Sequence, residues 1–294
     1  MLMSVPNDKL EVSRMGDMGE LKTAIHIVVL AKRIPDPEPS AVPFRVDPDT
    51  WRRIEVPGLQ MVVSPYDEQC IEVALRLREQ LGGARITVLS LGRGRGEDIK
   101  LFKRVFSWEV DAGVFLCDPA FDGGDATTTA RVLAAGVRKL EDVDLVLAGR
   151  QAADFDEGVV GLTVAELLEW PVLPVAGSVQ IDGGSVTVDR LLEAGIATLQ
   201  ADLPAVVTVS NEVGPPRQPS MRQMMRAGRM KPEVWTASDL GLDEDQVGSQ
   251  AARLRIEEVF VPQIARDCEF VAGDTPEEQA ADLLRRLDDR RVLA

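Results

Sequence analysis

The sequence predicts an α/β fold built on a parallel sheet, and three observations point there. Short apolar runs without alternation recur along the chain, stretches of helical period separate them, and turn residues bound both kinds. Such runs read as strands buried on both faces. Strand alternating with helix implies right-handed crossovers that lay helices over each face of one sheet, giving three layers.

The expected strands are Ile25 to Ala31, Arg85 to Leu91, Gly113 to Cys117, Asp144 to Ala148 and Ala205 to Val209. The expected helices between them are Glu68 to Leu81, Glu97 to Phe106, Asp125 to Leu140 and Val159 to Leu168. One stretch, Val175 to Thr198, breaks the alternation. Its Val179-Gln180-Ile181 and Val186-Thr187-Val188 flank Asp182-Gly183-Gly184, a hairpin signature that predicts an antiparallel edge.

Residues 1 to 24 are polar and aperiodic, with Met18 as an alternative start, and are expected to be a mobile extension. From Pro216 to Lys231 the chain holds Arg217, Arg222, Arg226, Arg229 and Lys231 with no acid. Beyond Glu233 it is acidic and carries one marked helix. Thr275 suits its N-cap, Pro276 its first turn, Glu277 and Glu278 its positive end, and Arg285 and Arg286 the opposite end. The expected division is an extension at 1–24, an α/β domain at 25–232 that includes a loop at 210–231, and a C-terminal arm at 233–294.

Composition excludes several classes. The 294 residues hold 33 Lys and Arg against 48 Asp and Glu, a formal charge of −15, which argues against nucleic acid or an anionic membrane as main partner. No apolar run approaches the roughly 18 residues of a membrane span. The first residues lack a basic start followed by an apolar stretch, so a cytoplasmic location is expected. Cys70, Cys117 and Cys268 are far apart and His26 is the single histidine, which disfavours a zinc site or His-based catalysis. His26 and Cys117 read as packed strand residues.

In an open parallel sheet, ligands bind beyond the carboxyl ends of the strands near a topological switch point. Four segments follow strands there or open helices: Leu30-Ala31-Lys32-Arg33, Ser64-Pro65-Tyr66-Asp67, Leu91 to Gly96, and Gly149 to Asp156. Gly92, Gly94 and Gly96 match neither the dinucleotide fingerprint nor the Walker pattern. They are either a phosphate loop or a flexible turn carrying solvated Arg93 and Arg95. The loop after Ala148 ends where a helix begins, and amides exposed at a helix start bind phosphate. Asp154 and Asp156 there either cap the helix or accept hydrogen bonds from a ribose or an adenine. No nucleophile with an adjacent base accompanies these loops. The residues therefore define a nucleotide-binding domain without catalytic side chains. In the basic segment Met221, Met224 and Met225 fall at helical spacing, either as an adaptable docking stripe for acidic partners or as side chains packed inward.

Together these pieces resemble one family, the beta subunit of electron-transferring flavoprotein. The likeness runs from Ile25 to about Leu242, more faintly through the arm. It is carried by Ala31-Lys32-Arg33-Ile34-Pro35-Asp36, Ser64-Pro65-Tyr66-Asp67-Glu68, Leu147-Ala148-Gly149-Arg150-Gln151-Ala152-Ala153-Asp154, Leu203-Pro204-Ala205-Val206-Val207-Thr208-Val209, Pro216-Arg217-Gln218-Pro219-Ser220 and Ser238-Asp239-Leu240-Gly241. The resemblance implies a Rossmann-like, three-layer domain of the adenine-nucleotide-binding type with an arm that wraps an alpha subunit. The alpha subunit would carry the redox-active FAD, and this chain AMP or, as in electron-bifurcating members, a second FAD reduced by NADH. Nucleotide contacts would map onto Leu30, Ser64, Pro65, Tyr66, Asp67, Leu91, Gly149, Arg150, Gln151, Asp154, Asp156, Glu157, Gly158, Val159 and Val160. Members that bind AMP show D-x-x-Q-T-G where this chain reads Asp156-Glu157-Gly158-Val159-Val160-Gly161, and Ser64 stands where the family has Asn. The Val160-Gly161 pair is similar to bifurcating members.

By the same resemblance, Met221 would be the anchor offered to a partner dehydrogenase, with Arg217, Met224, Met225 and Arg226 around it. The implied function is transfer of electrons from flavin dehydrogenases, such as the acyl-CoA dehydrogenases of fatty acid oxidation, to a quinone oxidoreductase or other acceptor. That is an electron-transfer subunit without bond chemistry of its own, or an oxidoreductase if bifurcating. No metal, nucleic acid or membrane insertion is expected. An adenine-nucleotide-binding signalling protein is the alternative of another class, disfavoured because a stand-alone sensor needs neither the Met-rich loop nor the arm.

Overall fold

The computed structural model describes residues 24–37, 45–47, 49, 59–92, 99–260 and 268–292. Most of the expected extension at 1–24 lies outside them, as do Arg93, Gly94, Arg95 and Gly96, so the glycine-rich turn is described only as far as Gly92. Apart from the short pieces at 45–47 and 49, the described residues through Arg255 cluster in one compact unit and those from Ile256 in a second.

In the first unit the chain order is β1 (Ile25–Leu30), β2 (Arg33–Pro35), β3 (Met61–Val63), α1 (Pro65–Gln80), β4 (Ala84–Gly92), α2 (Lys100–Phe106), β5 (Ala112–Cys117), α3 (Ala126–Lys139), β6 (Leu145–Gly149) and α4 (Val160–Leu168). It continues with β7 (Val172–Ala176), β8 (Ser178–Asp182), β9 (Ser185–Leu192), β10 (Gly195–Asp202), β11 (Ala205–Val209), α5 (Met221–Ala227), β12 (Glu233–Trp235) and α6 (Gly248–Ala251). The central sheet has seven strands in the order β12-β5-β4-β1-β6-β11-β7, all paired in parallel.

The apolar runs are strands because both of their faces are covered. Along β1, Ile27 and Val29 join one buried cluster with Cys70, Ile71 and Ala74 of α1 and Phe102 of α2. Val28 and Leu30 join another with Val132 and Leu133 of α3 and Val164 of α4. Side chains alternate across the pleat, so a strand between two helical layers must be apolar at every position. His26 is a packed strand residue, its Nε2 2.9 Å from Thr87 Oγ1 on β4. Cys117, at the end of β5, packs against the core half-buried.

The hairpin forms where the sequence places it, with positive φ at Gly183 and Gly184. It continues into β10 as a separate three-stranded antiparallel sheet rather than bordering the parallel one, whose margins are β7 and β12. Ile181, Val186 and Val188 enter the core cluster beside α1. The compact unit runs past 232, because Glu233, Val234 and Trp235 pair with Val114, Phe115 and Leu116 of β5. The chain then reaches Asp125, whose Oδ1 caps α3 through the Thr128 N–H at 2.9 Å while Oδ2 accepts the N–H groups of Arg253 and Leu254 at 2.7 and 3.1 Å.

The second unit contains α7 (Pro276–Asp289), opened by a capping box in which Thr275 Oγ1 accepts the Glu278 N–H and Glu278 returns a carboxylate to the Thr275 N–H. Asp282 accepts the Ala272 N–H at 2.9 Å and pairs with Arg286 at 2.7 Å.

Candidate functional site

The order of the central sheet puts its switch point between β1 and β6, since the chain builds outward from β1 through β4 and β5 before returning to β6 on the other side. Here the segments after β1 and β6 meet the first turn of α1. Ser64 ends the connection from β3 and stands at the N-cap of α1, where Pro65 fits the first turn. Its Oγ is fully buried and has no hydrogen-bond partner among the described residues.

Three residues after Ser64, Asp67 turns inward. Its Oδ2 accepts the Lys32 N–H at 2.7 Å, and the carboxyl is also hydrogen-bonded by the Gly149 backbone. Burial pushes this carboxyl up to about 7, although the two amides and the Lys32 ammonium pull it down. Beside it the Arg150 guanidinium lies 5.4 Å from the centre of the Tyr66 ring and 3.3 Å from Ser210 Oγ, with its Nε buried and without a partner among the described residues. The Lys32 ammonium pairs with Asp154 at 2.7 Å and lies 5.6 Å from the centre of the Phe155 ring. This pair joins the segment after β1 to the loop after β6.

That loop is shaped internally before it enters α4. The Arg150 N–H donates to Val209 O at 2.8 Å, and Gln151 Nε2 donates to Asp156 Oδ1 at 2.8 Å. Asp156 and Gly158 both take positive φ, 53° and 66°. No side chain caps α4. Asp154 is engaged by Lys32 and by the Phe155 N–H, and Asp156 by Gln151, so neither caps that helix. Gly161 has a packing reason, because a Cβ there would lie 3.0 Å from both Ala148 Cβ and Thr208 Cγ2.

The structure therefore gathers Ser64, Pro65, Tyr66, Asp67, Gly149, Arg150, Gln151, Asp154, Asp156, Gly158, Val159 and Val160 around the loops next to the switch point. Leu30 is buried at the end of β1, Leu91 half-buried near the end of β4, and Glu157 exposed. Val159 is 43% exposed, whereas Val160 packs against the core. Sequence reasoning named the segment holding Lys32 without assigning that residue, and it passed over Phe155, which is 69% exposed. The signal for Lys32 was its position directly after β1.

The residues present fit the phosphate of a nucleotide. Two buried polar atoms without partners, Ser64 Oγ and Arg150 Nε, accompany a helix start that no side chain caps. At Gly149 a Cβ would lie 2.7 Å from Asp67 Oδ1, so only glycine allows this approach. Among the described residues there is no group of His, Cys, Asp and Glu that could hold a metal ion.

A second surface is built around α5. Ser220 and Gln223 form a capping box, Ala227 is buried, and Met221 and Met225 are each 71% exposed with Met224 beside them. The methionines point outward, so the inward-packing alternative does not hold. Arg226 is exposed, 3.8 Å from Glu109. Arg217, by contrast, is committed to the fold. Its N–H and Nε meet Glu72 Oε2 at 3.0 and 2.8 Å, its Nη1 meets Glu79, and its carbonyl accepts the Trp108 indole N–H at 2.8 Å. These bonds keep the Glu72 carboxyl below the usual carboxylate range despite its burial.

A doubly wound parallel sheet with loops gathered at its switch point defines the class, an α/β domain of the Rossmann-like kind. Residues 55–240 match the electron transfer flavoprotein domain, and the chain belongs to the electron transfer flavoprotein beta-subunit family. It is 31% identical over 270 residues to the electron transfer flavoprotein subunit beta of Thermoanaerobacterium thermosaccharolyticum, covering 92% of this chain and 100% of that one. It is also 29% identical to subunit CarD of the caffeyl-CoA reductase-Etf complex of Acetobacterium woodii, with the same coverage of 92% and 100%. Against Protein FixA of Azorhizobium caulinodans the identity is 32%, over 88% of this chain and 92% of that one. Among the described residues, no helix is long and apolar enough to cross a membrane.

Proposed function

We propose that this chain is the nucleotide-carrying half of a heterodimeric electron carrier that works in the cytoplasm. It pairs with an electron transfer flavoprotein alpha subunit that holds the redox-active FAD, binds an adenine nucleotide beside the switch point, and presents the methionines of α5 to flavin dehydrogenases such as acyl-CoA dehydrogenases. A quinone oxidoreductase or similar acceptor takes the electrons onward. The observation that carries this reading is the uncapped start of α4 together with two buried polar atoms that have no partner among the described residues.

The flavin supplies the electron-accepting and electron-donating chemistry when bound in the complex. This chain's residues bind and orient. The backbone at the start of α4 would hold a phosphate, Ser64 Oγ and Arg150 Nε would find partners in the bound nucleotide, and Leu30 and Leu91 would bound it with apolar surface.

Val159 and Val160 favour a second reading, because they put apolar side chains where AMP-binding relatives have polar ones. In that reading the crevice takes a second FAD, reduced by NADH, and the heterodimer is an electron-bifurcating oxidoreductase. Both readings require the heterodimer. Co-expression with an alpha subunit encoded beside it should give a one-to-one complex with flavin absorbance on size exclusion. A chain that elutes alone and colourless would refute both.

A further inference from the structure

One buried carboxyl beside the switch point is already engaged by two backbone segments of the protein. We infer that Asp67 is a positioning residue and not a ligand contact: its side chain ties the segment leaving β1 to the segment leaving β6 and so sets the spacing of the two lips between which the nucleotide binds. The inference rests on the nucleotide-site reading above and deepens it. Asp67 is 6% exposed. From the first turn of α1 its carboxyl takes the Lys32 N–H from one side of the switch point and the Gly149 backbone from the other.

Asp67 is not capping its own helix, because the first-turn N–H groups of Asp67 and Glu68 donate to Ser64 O at 2.9 and 3.0 Å. Gly149 is fitted to it. A Cβ there would lie 2.7 Å from Asp67 Oδ1 and 2.8 Å from Tyr66 Cβ, so the end of β6 reaches the carboxyl only as glycine. The charged neighbours are Lys32 and Asp154, and the buried Cys70 thiol lies close enough to feel the carboxylate.

A carboxyl presents two acceptor oxygens, which is what two converging amides need. An asparagine of the same shape would turn an NH2 group toward one of them. Burial disfavours the ionised form, and the two amides and the Lys32 ammonium offset part of that cost. The other bridge across the gap, Lys32 to Asp154, has an exposed ammonium and is a weak tie by comparison.

The test uses the purified heterodimer, stripped of nucleotide and titrated separately with AMP and with FAD. Asp67→Asn is expected to weaken whichever of these the wild type binds by about tenfold, the scale of one lost hydrogen bond to a charged group. Amide hydrogen exchange should quicken at Lys32 and Gly149 while the rest of the sheet keeps its protection. Gly149→Ala presses on the same carboxyl from the other side and should weaken binding too. The double variant should lose less than the two single losses combined, as residues sharing one contact do. Unchanged affinity and exchange in Asp67→Asn would overturn the inference and leave the nucleotide site standing. Loss of protection throughout the sheet would also overturn it, making Asp67 a residue of general stability. A wild-type heterodimer that binds neither AMP nor FAD in this subunit would overturn both.

Discussion

The carboxyl edge of the parallel sheet and the C-terminal arm are held by opposite means. At the edge, buried strands bring backbone amides onto one buried carboxyl, and the glycine that meets it has no room for a side chain. In the arm, α7 buries none of its residues and is fixed by a capping box and by pairs among Asp282, Glu269, Arg285, Arg286 and Arg290. Exposed pairs contribute between about 0 and 1 kcal/mol each. Leu283, Leu284 and Phe270 stay exposed there. The first region carries its own stability and can be shaped in advance for a small ligand. The second has local order but no buried residue in its helix α7, as suits a segment that the proposed heterodimer would cover.

The largest expected effect lies in the sheet. Phe115→Ala removes a side chain that is fully buried and packs edge-on against Phe102 at 6.0 Å, and should cost about 3–5 kcal/mol in denaturant unfolding of the chain. If that variant unfolded like wild type, the contrast between a self-sufficient sheet and a dependent arm would fail.

The double change Leu283→Ser with Leu284→Ser should behave in the reverse way. On the isolated chain it should stay within about 0.5 kcal/mol, as exposed substitutions do. Alpha-subunit affinity should fall by about 2 kcal/mol, roughly thirtyfold, if these leucines are interface anchors. Titration of labelled alpha subunit would show it. Equal affinity would remove α7 from the interface.

The two regions should also respond to pH with opposite sign. Asp67 has a folded value near 7 against 3.8 for a free aspartate, so the folded chain binds the extra proton between those values. Its contribution is greatest below about pH 4 and is lost as pH rises toward 7, by at most about 1.4 kcal/mol per pH unit. Asp282 is held near 2, first by the Ala272 N–H and then by Arg285 and Arg286, so its contribution is present above about pH 4 and lost as pH falls through 2. Unfolding of Asp67→Asn and wild type compared between pH 5 and 7.5 isolates the first effect. A difference that stays constant across that range would contradict it. The smallest effect is Thr275→Ala, worth about 1 kcal/mol locally through the lost cap, seen as faster amide exchange at the start of α7 with global unfolding unchanged.

The same contrast separates what was legible in the sequence from what was not. Strands such as Ala205–Val209 were readable to their ends because burial on both faces forces an unbroken apolar run. β7 and β12 were not. β7 carries Pro174 and an exposed first residue, and β12 is three residues at the margin with Glu233 in it, so neither shows a strand pattern. α7 was plain from its caps, which are local chemistry. The loops of the crevice were found by their place after the strands. The roles within them depend on distant partners. Nothing near Asp67 in sequence shows that it meets Lys32 and Gly149, and nothing near Arg217 shows that Glu72 and Glu79 engage its guanidinium.

The central claim is that this subunit carries an adenine nucleotide at the switch point. Denaturing release from the purified heterodimer, followed by chromatography of the nucleotides, tests it most directly. The account predicts one FAD and one AMP per heterodimer, or two FAD if Val159 and Val160 mark a bifurcating subunit. A single FAD with no second adenine nucleotide would contradict it.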